Sequence, residues 1–493
     1  MSYRFEPRVF PVAVPCLRSL LHALRDEVGL AVLDSAAGVP QRFSIVAIDP
    51  LGGPRRWNSL ASLRTSIEAV HAVEGDELPE AFGGGFLGAL SYELGACDEP
   101  LTLPDPAWKT PRIVGGLYVD YLCIDHQSGQ AQLVLAENPG DDRAPLGQRR
   151  ERWLSALARR SPLRAGSIRS AGPLVSHVPA SEHERRIEEA RACIAAGEIY
   201  QVNLARRYTR AVDAHPVDLF LRLRELNSAP FMAYLQWSLQ DEEGEHQGAL
   251  MSASPELLLE FDAGEALTRP IKGTIARQAD PEGDRAARQR LLASDKERAE
   301  LAMIVDLERN DLGRVAQPGG VRVGDFPRLE SFATVHHLVA DVRATCLPEV
   351  DAIRVLESLY PGGSITGAPK LRSMEIIAQL EQEGRGFFTG SLGALDFRGR
   401  AFFNILIRTL VWRPRESSSA SVETRSYSGN AAKGEVSFHV GGGITWKSVA
   451  ADEELETRWK GSALAAACSG ADEAPETLGV PLPAAPSIPT GPA

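Results

Sequence analysis

The chain has 493 residues, of which 44% are hydrophobic, 24% charged and 6% aromatic, and its net charge is −12. That length exceeds one small core and suggests two or three domains, or one unusually large one. The acidic balance disfavours a partner bound through nucleic-acid phosphates. No apolar run approaches the roughly 20 residues of a membrane span, and residues 1–14 lack the apolar stretch and cleavage site of a secretory leader.

The six cysteines stand singly, without CxxC or CxxH spacing. They point to reduced thiols of a cytoplasmic protein and away from a zinc site or disulfide frame. In chain order, residues 30–35 and 43–48 are predicted as buried strands, and the glycines of 83–88 as a bend with close backbone packing. Residues 115–124 form another apolar run, predicted as one strand, with 132–135 as its possible partner. Polar, arginine-rich 138–176 carries one amphipathic segment, 149–158, and is predicted to be a connector.

Ser181 and Glu184 have capping-box spacing, and Ile187, Ala190, Ile194 and Ala195 recur at helical period, so a helix is expected from 181 to Gly197. Residues 200–206 read as a strand, 216–226 as a helix, and acidic 240–248 as a surface loop. A turn at 252–256 feeds a strand at 257–261, a second strand spans 267–274, and a long helix spans 295–312. The loop from Pro361 to Lys370 opens a helix at Leu371. Strands at 390–397, 402–411 and 435–440 precede a glycine triplet and a last helix at 452–467. Serine- and charge-rich 414–434 is expected as a hairpin tip. The Pro- and Ala-rich tail from about 471 cannot build a core.

Lys272 lies between Pro270-Ile271 and Gly273-Thr274, with Arg269 and Arg277 on either side. A lysine held near other cations and partly desolvated loses some preference for its charged form. A neutral amine is a nucleophile; the alternative is a strand-end lysine reaching solvent. Glu297 and Glu300 share a helix face, as do Glu453, Glu456 and Lys460. Two glutamates from separate helices facing a gap would suit Mg²⁺, although either stripe taken alone reads as a solvated face and decides nothing.

The Gly-rich loop fails the Walker A pattern, because Ala368 follows Gly367 where a lysine is required. Its backbone N–H groups, the Ser364 and Thr366 hydroxyls and Lys370 still suit a carboxylate. Arg408, in the apolar run 405–410, is costly to bury without an anion. Gly441, Gly442 and Gly443 let a ligand approach backbone. Together these residues describe a pocket for a small dianion with a metal at one end.

Gly197-x-x-Tyr-Gln-Val-Asn203, Ser254-Pro-Glu256, Pro270-Ile-Lys-Gly-Thr274, Lys296-x-x-Ala-Glu300, Arg309-Asn-Asp311, His336-His-Leu338, Pro361 to Lys370, Ile407-Arg-Thr409 and Gly441-Gly-Gly-Ile444 occur in the order found in the chorismate-binding enzymes. Over about residues 180–465 the chain resembles that family, with a weaker likeness before. The resemblance implies an α+β fold of the anthranilate synthase component I kind, with two large antiparallel sheets packed across each other and helices outside. The resemblance and the composition together divide the sequence into an N-terminal region at 1–137, the connector at 138–176, a catalytic region at 177–468 and a tail at 469–493 that is expected to be disordered.

Within the family the chain resembles the branch that aminates chorismate at C4, because Lys272 stands where anthranilate synthases usually carry alanine. The resemblance implies that Lys272 attacks C2 and that Glu256 is the general acid and base. His337 aligns with an active-site histidine, a core histidine being the alternative. Glu300 and Glu456 match Mg²⁺ ligands, with Glu297 and Glu453 behind them, while Thr366, Lys370, Arg408, Lys460 and Gly441 to Gly443 would hold the carboxylates. The family's tryptophan pocket would involve Ser35, but the pattern there is loose and bound tryptophan is not expected.

No cysteine sits in a glutaminase-like setting, so a separate glutamine amidotransferase subunit would supply ammonia. The product would be 4-amino-4-deoxychorismate, which a separate lyase would carry toward 4-aminobenzoate and folate. An anthranilate-synthase-like subunit is the alternative within enzymes. A catalytically silent subunit that binds chorismate or tryptophan is the alternative outside them.

Overall fold

The computed structural model describes residues 3–35, 42–72, 78–97, 99–137, 143–160, 168–241, 244–332, 335–415, 432–470 and 478–480. Among these, the strands form sheets of 14, nine and three members. The largest sheet joins both halves of the chain, since Phe231–Asp241 pairs antiparallel with Ala31–Asp34 on one edge and with Gly244–Ser254 on the other. Its far side holds Gln201–Asp213 against Lys433–Ile444. The nine-stranded sheet likewise mixes early and late strands, with Gly85–Leu90 paired to Ser391–Asp396.

The two large sheets share one core. Tyr121, Leu235 and Leu250 of the first pack with Leu87, Val114 and Leu392 of the second. Alternating strand residues supply that layer from both sides. Helices cover the outer faces: Leu17–Leu24, Leu146–Ala158, Pro216–Leu226 and Ala450–Ala467 bury Leu20, Trp153, Phe220 and Leu464 over the first sheet. Asp295–Gly313 and Ala352–Leu359 bury Leu301, Val305 and Leu356 over the second. Each such side chain contributes roughly 1.5–3 kcal/mol on burial. No helix among the described residues is long and apolar enough to cross a membrane.

Three runs expected as single strands are each divided between sheets. The run 115–124 becomes Ile113–Tyr118 in the nine-stranded sheet and Tyr121–Asp125 in the large one. At the corner, buried Asp120 accepts the Ala136 N–H at 3.0 Å and pairs with Arg149. Arg149 comes from Leu146–Ala158, so the expected connector includes a helix that buries Arg149 and Trp153. The run 267–274 breaks at Pro270, which has no N–H for a ladder, into Glu265–Arg269 and Ile271–Ala276. The run 402–411 breaks into Ala401–Asn404 and Thr409–Pro414, with Arg408 between them at φ +52°.

Other elements differ in detail. The capping box at Ser181 does not form, because the helix begins one residue earlier, at Ala180 after Pro179. The expected loop at 240–248 is largely hairpin, with Asp241 opposite Gly244. The glycine triplet lies inside a strand, with Gly441, Gly442 and Gly443 opposite Ala205, Leu204 and Asn203. Of the expected hairpin tip, residues 416–431 lie outside the described residues, as does the tail except for 469–470 and 478–480.

Candidate active site

Ile271–Ala276 pairs with Val335–Val339 in the three-stranded sheet, placing Lys272 opposite Leu338 and Thr274 opposite His337. The register shifts at Gly273, whose φ is +79°. A side chain there would come within 3.0 Å of a Glu297 carboxylate oxygen. Glycine therefore lets this strand lie against the helix that carries Glu297 and Glu300.

The Lys272 amine donates to the Ser364 carbonyl at 3.1 Å. Burial pushes it below the ordinary lysine range, against the attraction of Glu256 and Glu300. Glu256 is buried at the turn before Leu257–Asp262, where its Oε1 accepts the Ile271 N–H at 3.4 Å. Burial raises its carboxyl above the usual range, although Ser364, Lys272, the Ile271 amide and Arg408 oppose the rise. Burial thus shifts both groups in the direction of their neutral forms.

His337 is buried and shares a 2.8 Å hydrogen bond through Nδ1 with the Thr274 hydroxyl. Burial and then the charge of Arg408 push its imidazole down to about 3, so it is neutral at ordinary pH. Arg408 is half-buried, and burial lowers its guanidinium despite Glu256. Among the described residues its guanidinium has no hydrogen bond or ion pair, and the charge acting on it is that of Glu256. A guanidinium in that setting is able to take up an anion.

At the other end, Glu300 Oε1 is buried without a hydrogen bond, and the Lys296 amine lies 4.0 Å away. Burial raises the Glu300 carboxyl, with Glu297 and Glu453 adding to the rise. Glu453 is raised by burial although it accepts the Ser448 hydroxyl at 2.7 Å. Glu456 is lowered by Lys460, which it meets at 2.7 Å. Lys296, which burial alone would lower, is held above its ordinary range by Glu300, Glu453, Glu297 and Glu456. Among the described residues no three His, Cys, Asp or Glu side chains form a cage for a metal. Carboxylates from two helices remain the donor set that Mg²⁺ accepts when substrate and water complete its shell.

Some expected binding groups are engaged elsewhere. The Thr366 hydroxyl donates to Gly362 O at 2.8 Å within its own turn. Lys370 pairs with Asp311 at 2.6 Å and donates to Leu359 O at 2.8 Å. Lys460 donates to Gly441 O at 3.3 Å as well as meeting Glu456. Gly442 faces Glu453 and Lys460, and Gly443 faces Gln201 and Lys272. Ser35 lies apart from these groups, bonded to Ser44 and Phe43, while its neighbour Asp34 is paired with Arg224 at 2.7 Å.

Sequence reasoning missed Gln201, whose amide oxygen and nitrogen are both buried without a hydrogen-bond partner. A side chain on Gly443 would sit 2.8 Å from that amide nitrogen and 3.6 Å from the Lys272 amine. The Ser364 hydroxyl is likewise buried, and the group that it faces is the Glu256 carboxyl. The sequence offered this hydroxyl as a carboxylate donor, but its position beside Glu256 was not evident from the loop alone. Buried Glu308, raised well above the carboxylate range by burial and then by Glu256 and Asp311, was also missed. Its signal was available, since it follows Glu297, Glu300 and Ile304 on one helix face. A cavity of about 780 Å³ walled by Trp108, Trp237 and Trp412 includes none of these groups.

The chain matches the family described as chorismate binding enzyme over residues 41–466. It is 39% identical to aminodeoxychorismate synthase component 1 of Salmonella typhimurium across 71% of this chain and 73% of that protein. It is 35% identical to anthranilate synthase component 1 of Streptomyces coelicolor across 91% of this chain and 85% of that one. Among solved structures, anthranilate synthase component I from Streptococcus pneumoniae has the same fold, with a TM-score of 0.69, 27% identity and coverage of 86% and 92% of the two chains. Over the sheets, the half-buried amine and the guanidinium described above, these matches show that the chain belongs to the chorismate binding enzyme family.

Proposed function

We propose that this chain aminates chorismate at C4 to give 4-amino-4-deoxychorismate. The observation that carries the reading is the Lys272 amine, lowered by burial beside a Glu256 carboxyl that burial raises. Names of relatives from Salmonella typhimurium, Klebsiella aerogenes and Bacillus subtilis, at 39%, 37% and 34% identity, support the same branch.

In this reading the Lys272 amine bonds to C2 as the ring double bonds shift, and the C4–O bond breaks. The hydroxyl leaves as water with the Glu256 proton. Ammonia then bonds to C4, the double bonds shift back, and the bond to Lys272 breaks with its electron pair returning to nitrogen. The proton shed by the new C4 amine returns to Glu256. Arg408 holds one substrate carboxylate, and neutral His337 braces Thr274 next to the reacting lysine. Gln201 and Ser364 supply donors and acceptors to the ligand.

Glu300 and Glu456 would hold Mg²⁺, with Glu297 and Glu453 behind them, and the bound ion would lower the charge of the ring carboxylate. Ammonia comes in this reading from a separate glutamine amidotransferase subunit, consistent with relatives called component 1. A further lyase would act on the product toward 4-aminobenzoate and folate, in the cytoplasm.

Anthranilate formation is the second reading, supported by the Streptomyces coelicolor relative that spans 91% of this chain. Mass spectrometry after incubation with chorismate, Mg²⁺ and ammonium separates them. The C4-amino product, lost in Lys272→Ala, supports the proposal. Anthranilate and pyruvate support the second reading. Unchanged chorismate, even with an amidotransferase added, would leave a silent binding subunit.

A further inference from the structure

Arg385, between the helix Lys370–Glu381 and the strand Ser391–Asp396, is only 3% exposed. Its Nη1 donates to Ile365 O at 3.1 Å and to the Thr389 hydroxyl at 3.3 Å. Its Nη2 donates to Asn203 O and to Glu381 Oε1, both at 2.7 Å, and its Nε donates to Glu381 Oε2 at 2.9 Å. The guanidinium lies between the rings of Tyr92 and Phe388, with centroids 5.0 and 5.4 Å away. Glu93 accepts the N–H groups of Arg385 and Gly386 at 2.7 and 3.0 Å.

The two carbonyls bridged by this side chain belong to two neighbouring segments of the site, the turn at 363–368 and the strand Gln201–Asp213, which also pair through Gln201 with Ala368 and Val202 with Gly367. Ile365 follows Ser364, whose carbonyl accepts the Lys272 amine. Asn203 pairs with Gly443, whose open side faces Gln201 and Lys272. The N-terminal part of the chain fixes the same turn from below. The Tyr360 hydroxyl donates to Ser91 O at 2.7 Å, and Gly95 packs so closely that a side chain there would sit 2.4 Å from Pro361. A planar fork that engages two carbonyls and a bidentate carboxylate has no equivalent in lysine.

We infer that Arg385 is a positioning residue that sets the gap between the Ser364–Ile365 turn and the Asn203–Gly443 strand pair, and thereby holds the Lys272 amine in place. The inference rests on the reading of Lys272 as the reacting amine. Small displacements of a reacting group cost on the order of tenfold to a hundredfold in rate. Loosened walls also admit water, which returns a buried amine toward its ordinary range.

The test compares the full chain with Arg385→Lys and with Glu381→Gln, the milder variant that keeps the guanidinium. Melting temperature, kcat and KM for chorismate with ammonium, and the pH dependence of Lys272 acylation by an amine-directed reagent are measured, the last by peptide mass spectrometry. For Arg385→Lys, kcat is expected to fall about tenfold or more with KM changed little, and the acylation midpoint to move upward. Glu381→Gln should show the same signs at smaller amplitude, and decides the matter if Arg385→Lys does not fold.

An unchanged acylation midpoint in a folded variant, or activity lost only in proportion to folded protein, overturns the inference. If the unmodified chain leaves chorismate untouched, the functional reading fails, and the acylation midpoint still reports whether Arg385 sets the environment of Lys272.

Discussion

Replacing Arg408 by methionine is expected to make the free protein more stable and the enzyme worse. The guanidinium is half-buried, lowered by burial, and without a hydrogen-bond or ion-pair partner among the described residues. Its main electrostatic neighbour is Glu256, whose carboxyl is raised and therefore offers a weakened countercharge. An apolar chain of similar length removes the desolvation cost and retains contacts. The gain should be about 1–2 kcal/mol, at the low end of what is seen when buried charges are replaced. For a chain this long that is roughly 1 °C in melting temperature per kcal/mol.

Binding moves the other way. A charge-assisted contact to a substrate carboxylate contributes roughly 1.5–3 kcal/mol, so kcat/KM for chorismate should fall about tenfold to more than a hundredfold. Scanning calorimetry without substrate and steady-state kinetics with ammonium check the two halves. A variant that melts lower and keeps its kcat/KM would mean that Arg408 braces the fold, and the argument from an unpaired cation would be wrong.

Glu256→Gln should keep its stability, because burial disfavours the charged carboxylate that it replaces, and should lose about 10²–10⁴ in kcat; retained turnover removes Glu256 as the acid. Gly443→Ala would place a methyl 2.8 Å from the Gln201 amide and 3.6 Å from the Lys272 amine. It should cost about 1–3 kcal/mol of stability, and chorismate binding measured by fluorescence titration should weaken. His337, at about 3 in the folded state against 6.5 for the free group, stays neutral while the unfolded chain takes a proton. It therefore leaves stability unaltered above about pH 6.5 and lowers it as pH falls from there toward 3. In His337→Gln the acid slope of unfolding free energy should be shallower by up to about 1.4 kcal/mol per pH unit, and an unchanged slope would contradict a buried neutral imidazole.

Much of the site was legible because its chemistry is local in sequence. Lys272 beside a glycine, Glu297 and Glu300 on one helix face, and an arginine in an apolar run can be recognised without a fold. The same local reading could not show that Thr366 and Lys370 have protein partners, since a hydroxyl or an amine in a Gly-rich loop gives no sign of whether a nearby carbonyl or Asp311 already engages it. Gln201 stayed hidden for the opposite reason: strand periodicity marks a buried position, and only neighbouring chain shows that its amide lacks a partner.

The sequence by itself marked most of the helices and strands, the alternation that builds two-faced sheets, and the lysine, glutamate and arginine whose chemistry suits a nucleophile, an acid and an anion receptor. Tertiary structure decided where single apolar runs divide between sheets, because Asp120, Pro270 and Arg408 mark corners whose partners lie far away in the chain. It also decided which polar groups remain available to a ligand. Burial and pairing depend on contacts such as Arg385 with Asn203 and Ile365, which join segments that local pattern cannot relate.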